Sequence, residues 1–206
     1  MTSANDELAV AAARLVVEEG LEYAAAKRRA ARDLGRNRGG GGGRGARASD
    51  LPSNEAVEEA VREHIALFCA DTQPRELAAL RRVALAWMQR LAAFRPHLAG
   101  AVWRGTATRL SAVHVELYCD DGKAAEIALV NAGLDFALAP GSDADASVLT
   151  LAVPCRELAE PVTLHLHVLD HDALRGALKA DARGRTWRGD LGALERLLLD
   201  EAGKKE

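Results

Sequence analysis

Two short stretches alternate strictly between apolar and polar residues, and they limit the folds open to this chain more than any other feature. Val113, Val115 and Leu117 alternate with His114, Glu116 and Tyr118. Over Pro161 to Leu169, Val162, Leu164, Leu166 and Val168 alternate with Thr163, His165 and His167. A two-residue period puts successive side chains on opposite faces of a strand, so each stretch has one face to bury and one to leave polar. Placed side by side in one sheet, they would gather three imidazoles and a carboxylate on a single face.

Helical spacing dominates the N-terminal half. Asp6 to Glu19 reads as an alanine-rich helix interrupted at Gly20, and Glu22 to Leu34 as a second helix with Gly35 in the C′ position. Ser53 is placed to cap a third, along which Val57, Val61, Ile65 and Phe68 form one stripe. The run Asp71-Thr72-Gln73-Pro74 breaks it, and Leu77, Leu80, Ala84, Trp87, Met88 and Leu91 form the next stripe, ended by Pro96. These two helices are expected to pair as an antiparallel hairpin. His64, beside the first stripe, reads as a partly buried packing residue.

Between Gly100 and Asp121 the sequence reads as strand, turn, strand: Ala101 to Trp103, then Gly105-Thr106, then the alternating run. Glycine in that turn lets backbone approach a ligand closely, so a phosphate could lie over it. Further on, a helix is expected over Gly122 to Asn131 with its stop at Gly133. Strands follow over Leu134 to Leu138 and Val148 to Val153, around a polar loop from Pro140 to Ala146. A short helix is expected over Ala173 to Leu178, a loop over Asp181 to Gly189, and a terminal helix over Leu191 to Glu201.

This order predicts an α+β protein in which an N-terminal helical region precedes a small mixed sheet with flanking helices. Four segments follow: helices over 1–35, a flexible Gly/Arg-rich linker over 36–50, a helical hairpin over 51–96 and an α/β core over 97–206. The linker assignment rests on five consecutive glycines at 39–43 and on the lack of apolar residues around them. No Gly-Lys-Ser/Thr follows the glycines, so they are not a phosphate-binding P-loop.

Charge and cysteine use narrow the setting. The chain has 206 residues, 49% of them hydrophobic, and a formal net charge of −3, so it carries no global field toward nucleic acid or membrane. Attraction to a polyanion has to be local. It is concentrated in Lys27, Arg28, Arg29, Arg32, Arg36, Arg38, Arg44 and Arg47, against Asp33 alone. The helices of this region resemble the first two helices of a TetR-like DNA-binding domain, with glycines where the recognition helix would stand. Cys69, Cys119 and Cys155 are an odd, widely spaced set, which fits a reducing compartment better than a disulfide framework. With no signal-peptide pattern and no long apolar run, the expectation is a cytoplasmic protein without a membrane segment.

The candidate metal ligands are His114, Glu116, His165 and His167, a donor set suited to zinc or another borderline ion. Cys119 lies on the opposite strand face from His114, and Cys155 has no base beside it, so neither forms a nucleophile–base pair.

The run Gly105-Thr106, Arg109, Ser111 and Val113-His114-Val115-Glu116-Leu117 resembles the signature of the polymerase β-type nucleotidyltransferase superfamily. In that superfamily a Gly-Ser turn follows the first strand. A strand bearing two aspartates comes next, and a third carboxylate stands on a later strand. The resemblance covers roughly residues 75–170. It implies a nucleotidyltransferase-like core that binds a nucleotide triphosphate with divalent metal ions. The nucleotide would lie at Gly105, Thr106, Arg104, Arg109 and Ser111, and the catalytic positions would be His114 and Glu116. The N-terminal half, with Leu-Pro-Ser-Asn-Glu and Phe-Arg-Pro-His-Leu, is also similar to small bacterial proteins with such a core. The departure lies at the carboxylates: aligned on Ser111 the two aspartates fall on Ala112 and His114, aligned on the alternating face on His114 and Glu116, and the third falls near His165 or His167. Magnesium prefers oxygen ligands, so the resemblance implies a divergent member, weak or inactive in transfer.

Overall fold

A computed structural model describes residues 4–37, 51–141, 146–175, 178–181 and 184–203, with the side chains of 36, 37 and 202 excepted. The chain divides into two compact units, Met1–Pro74 and Arg75–Glu206. The division falls inside the segment expected to be one helical hairpin.

The first unit is helical. Helix α1 spans Ala4–Glu19, α2 Tyr23–Asn37 and α3 Asn54–Phe68. Small residues allow close packing: Ala12, Ala13, Val16 and Val17 of α1 share a core with Ala26 and Ala30 of α2 and Val57, Val61 and Ile65 of α3. Gly20 takes φ 68 between α1 and α2, as its position in the sequence implies. Ser53 caps α3, its Oγ accepting from the Ala56 N–H at 3.1 Å. Two expectations fail here. Gly35 is not in the left-handed region, and α2 runs through it to Asn37. Phe68 is 71% exposed, because α3 ends at that residue and its ring lies against His64. The expected linker lies almost wholly outside the described residues, and Arg38, Arg44 and Arg47 with it.

The second unit is α+β. Its elements are α4 (Gln73–Arg90, starting at the boundary), β1 (His97–Ala99), α5 (Gly100–Arg104), β2 (Val113–Cys119) and α6 (Gly122–Asn131). Then come β3 (Ala137–Pro140), β4 (Ser147–Cys155), β5 (Glu160–Asp170), β6 (Arg188–Asp190) and α7 (Leu191–Gly203). The strands form one mixed sheet in the order β3-β4-β5-β2-β1-β6. Only β2 and β5 pair in parallel; every other neighbour pair is antiparallel. The apolar alternation is honoured: Val113, Val115, Leu117, Leu164, Leu166 and Val168 are buried with Leu149 and Leu151 of β4. They share one core with Leu80, Ala84 and Met88 of α4, Leu129 of α6 and Leu194 of α7.

The apolar run at Ala101 to Trp103 is helix, not strand. Gly100 at φ 67 turns the chain out of β1, and Gly105 at φ 79 ends the single turn of α5. The first strand therefore lies just before this run, at His97–Ala99. The expected strand over 134–138 forms later, as the exposed edge strand β3. The helix expected over 173–178 is a 3-10 turn at His171–Leu174, stopped by the extended Arg175. The start of the expected Pro140 loop belongs to β3, and residues 142–145 lie outside the described residues. The expected 181–189 loop ends in the edge strand β6, whose Gly189 meets Leu98 of β1. Among the described residues, no helix is long and apolar enough to cross a membrane.

Candidate functional site

The parallel pairing of β2 with β5 sets His114 opposite His165 and Glu116 opposite His167. The four residues expected to share a face do so. The His114 ring lies 5.0 Å from that of His165 and 5.2 Å from that of His167, and the last two are 6.3 Å apart. His114 Nδ1 and His167 Nε2 are 2.9 Å apart, so one nitrogen carries the proton that the other accepts. On the next strand Thr150 pairs with His165, and its Oγ1 lies 2.9 Å from His165 Nδ1. Gly100 stands beside this group: a side chain added there would begin 3.4 Å from the His114 ring.

Glu116 is held differently. The Tyr118 hydroxyl donates to Glu116 Oε2 at 2.6 Å, and Arg188 of β6 reaches the same oxygen at 3.1 Å. Arg188 also donates to the Tyr118 oxygen at 3.1 Å. Glu116 is thus part of a carboxylate–phenol–guanidinium cluster and already has a counter-charge; the other carboxylate in register on this face, Asp190 of β6, accepts from the Ala193 N–H at the start of α7. Burial, with the nearby Glu116, pushes the Tyr118 phenol well above its ordinary range. His97, on β1 opposite Glu116, meets the Tyr118 ring edge-on at 5.2 Å.

The residues expected at a nucleotide are placed less openly. Arg104 is buried: it forms an ion pair with Asp181 at 3.0 Å, donates to the Thr186 carbonyl at 3.2 Å and stacks on Trp187 at 4.3 Å. Gly105 is the left-handed cap of α5, and the Thr106 N–H closes the turn onto the Ala101 carbonyl at 2.9 Å. Thr106 is 1% exposed. The Ser111 hydroxyl accepts from the Thr108 N–H at 3.0 Å, within the turn. Arg109 alone of the expected cations is exposed, pairing with Glu160 at 3.1 Å.

Three residues of this region escaped the sequence reading. In the resembling superfamily the Gly-Ser turn follows the first strand. With β1 at His97–Ala99, the turn directly after the first strand is at Gly100, and Gly105-Thr106 closes the following helix. Reading the three residues after Pro96 as a strand would have found it. Thr150 and Arg188 carry no sequence signal, since only the sheet order brings them to the face.

Magnesium, which the resemblance implies, does not fit this donor set. Strands β2 and β5 offer this face three imidazoles and one carboxylate, Glu116, which pairs with Arg188. Among the described residues, no three His, Cys, Asp or Glu side chains already converge as a metal cage.

No family model matches the chain, and no curated protein is detectably similar to it. Two solved structures of Cid1 are similar in part. One, of the Cid1 poly(U) polymerase with MgGTP bound, is 12% identical at a TM-score of 0.36, covering 53% of this chain and 38% of that one. The other, described for Cid1 RNA terminal uridylyl transferase activity, is 13% identical at 0.37, covering 59% and 39%. This chain therefore spans about two fifths of those chains.

Proposed function

We propose that this chain is a divergent nucleotidyltransferase-like protein that holds a nucleotide and does not transfer it. The observation that carries the reading is the pairing of His114 with His165 and of Glu116 with His167; the resemblance, aligned on the alternating face, puts two carboxylates at His114 and Glu116 and the third near His165 or His167. Two-metal transfer needs acidic ligands that bridge hard ions and offset triphosphate charge. Here two positions are neutral imidazoles or cations, and the Glu116 charge is spent on Arg188. Helix α4, strand β1, the turn at Gly100, strand β2, helix α6 and the later strand β5 follow the order the resemblance implies, with the short helix α5 added between turn and β2; this supports nucleotide binding at the Gly100 edge beside His114. Arg109, exposed on the turn before β2, would serve the phosphates by exchanging its surface pair with Glu160 for them.

The test is equilibrium dialysis of labelled ATP, GTP, CTP and UTP against the full chain. Saturable binding of at least one, weakened at least tenfold in Arg109→Ala, with intact nucleotide recovered, supports the reading. No saturable binding of any of the four refutes it.

A second reading, an interaction module with a basic arm, is favoured by one observation. On α2, Lys27 is engaged by Asn54 and Arg29 by Glu19 and Asp33, whereas Arg28 and Arg32 lie exposed one turn apart. A nucleic-acid contact there predicts binding that weakens steeply with salt and falls in Arg28→Ala/Arg32→Ala. Binding that ignores salt and survives that double substitution refutes it.

A further inference from the structure

We propose that Arg81 is the positioning residue of the Gly100 edge, and that the C-terminal helix α7 acts on that edge through it. The proposal rests on the nucleotide reading above and gives that site a control from outside its own lining.

Helix α5 is five residues long, too short to hold its place by its own hydrogen bonds. The Gly105 and Thr106 N–H groups both close onto the Ala101 carbonyl. The last carbonyls of a helix have no partner within it, and those of Val102 and Trp103 turn to α4. Arg81 Nε donates to the Val102 carbonyl at 3.1 Å, and Arg81 Nη2 to the Trp103 carbonyl at 3.2 Å. One planar guanidinium thus grips two successive carbonyls, a fork that lysine does not reproduce. Gly105 lies against it: a side chain added there would begin 3.6 Å from Arg81 Nη2.

Other contacts of α5 go to a different segment. Trp103 Nε1 donates to the Thr186 carbonyl at 3.0 Å, and Arg104 donates to the same oxygen at 3.2 Å. The chain enters α5 at Gly100, where φ is 67 and the His114 ring is close by. Held from α4 and from Thr186 together, the turn keeps Gly100 fixed against β2. Released from α4, it can shift about the Thr186 contacts and carry Gly100 with it.

Arg81 is 4% exposed, so its charge needs a partner. Nη1 donates to Glu201, near the end of α7. Burial pulls the Arg81 guanidinium below its ordinary range, and Glu201 acts in the opposite direction. Among the described residues, the buried Oε2 of Glu201 has no hydrogen bond, so its carboxylate is engaged through Arg81. The route from α7 to the Gly100 edge is therefore two contacts long. Glu201 fixes Arg81, and Arg81 fixes α5.

The experiment pairs two readings on the full chain. Hydrogen–deuterium exchange without nucleotide is followed over 100–106, with β2 as the reference. Equilibrium dialysis measures whichever of labelled ATP, GTP, CTP and UTP the wild type binds. Arg81→Met keeps the length and loses the donors. It should speed exchange over 100–106 by about tenfold or more, as expected for lost hydrogen bonds to a charged group, and leave β2 unchanged. It should also weaken nucleotide binding about tenfold, within the range reached by residues that do not touch a ligand. Arg81→Lys should recover part of both. Glu201→Gln removes only the charge and should show the same two changes at about threefold. If Arg81→Met does not fold, Glu201→Gln decides by the same readings. Unchanged exchange over 100–106 in a folded variant overturns the proposal. So does faster exchange with unchanged nucleotide affinity, which would leave Arg81 a purely structural residue, or exchange that rises equally in β2. A wild type that binds no nucleotide removes the nucleotide reading and the positioning role with it. The exchange result then still shows whether Arg81 holds α5, so the two failures are told apart.

Discussion

Replacing Asp181 with asparagine separates a structural Arg104 from one that serves a ligand. The Arg104 and Asp181 side chains are 4% and 11% exposed and meet at 3.0 Å. Arg185 approaches the same carboxylate at 3.5 Å. Asparagine keeps the shape and can still accept from the Arg185 N–H through Oδ1, so only the charge is lost. Removing one partner of a buried pair leaves the other charge uncompensated, at a cost of about 3–5 kcal/mol. The lower end applies here, because Arg104 keeps its bond to the Thr186 carbonyl and its stacking on Trp187. About 3 kcal/mol corresponds to a Tm lower by roughly 6–12 °C in a chain of this size. Tryptophan fluorescence is the assay, since Trp87, Trp103 and Trp187 all lie in the unit Arg75–Glu206. The double variant Arg104→Met/Asp181→Asn should recover part of the loss, because neither charge is then buried alone. A melting point for Asp181→Asn within about 1 °C of wild type would refute the reasoning. It would return Arg104 to the set of residues available to a phosphate.

Leu166, fully buried between Val115 and Leu149, should cost about 2–5 kcal/mol on replacement by alanine, read by urea unfolding. A loss below about 1 kcal/mol would contradict its place in the core. Gly189→Ala should destabilise by at least about 1–3 kcal/mol, because the new methyl carbon would lie 2.1 Å from the Trp103 ring. An unchanged melt would mean that Trp103 does not cover β6. Tyr118 gives a pH dependence: its folded pKa is raised, so its contribution is complete below the ordinary tyrosine value of about 10 and is lost as pH rises beyond it. Tyr118→Phe should therefore lose less stability than wild type between neutral and strongly alkaline pH, and equal slopes would contradict the shift.

How far the sequence discloses this architecture depends on which interactions are local. The alternation at 113–118 and 162–168 named both buried strands and the polar face, because a two-residue period survives without knowledge of neighbours. The shared face followed only if the strands were adjacent, and the parallel pairing of β2 with β5 supplies that. Local pattern failed at Ala101 to Trp103, where a short apolar run fits helix or strand equally and flanking glycines decide. It failed at Phe68 because periodicity does not tell where a helix end leaves the core. The neutralisation of Glu116 was invisible: Arg188 is contributed by an edge strand reached only through β1. Arg104 looked like a phosphate cation because Asp181 and Trp187, its partners, are remote in sequence.

A β2–β5 face whose one carboxylate, Glu116, is neutralised by Arg188 should not support two-metal nucleotidyl transfer. Label transfer from α-labelled ATP, GTP, CTP or UTP to RNA and protein acceptors, with Mg²⁺ or Mn²⁺, tests it most directly. No transfer above the protein-free background is expected, in wild type and in Glu116→Gln alike. Transfer by the wild type that disappears in Glu116→Gln would contradict it.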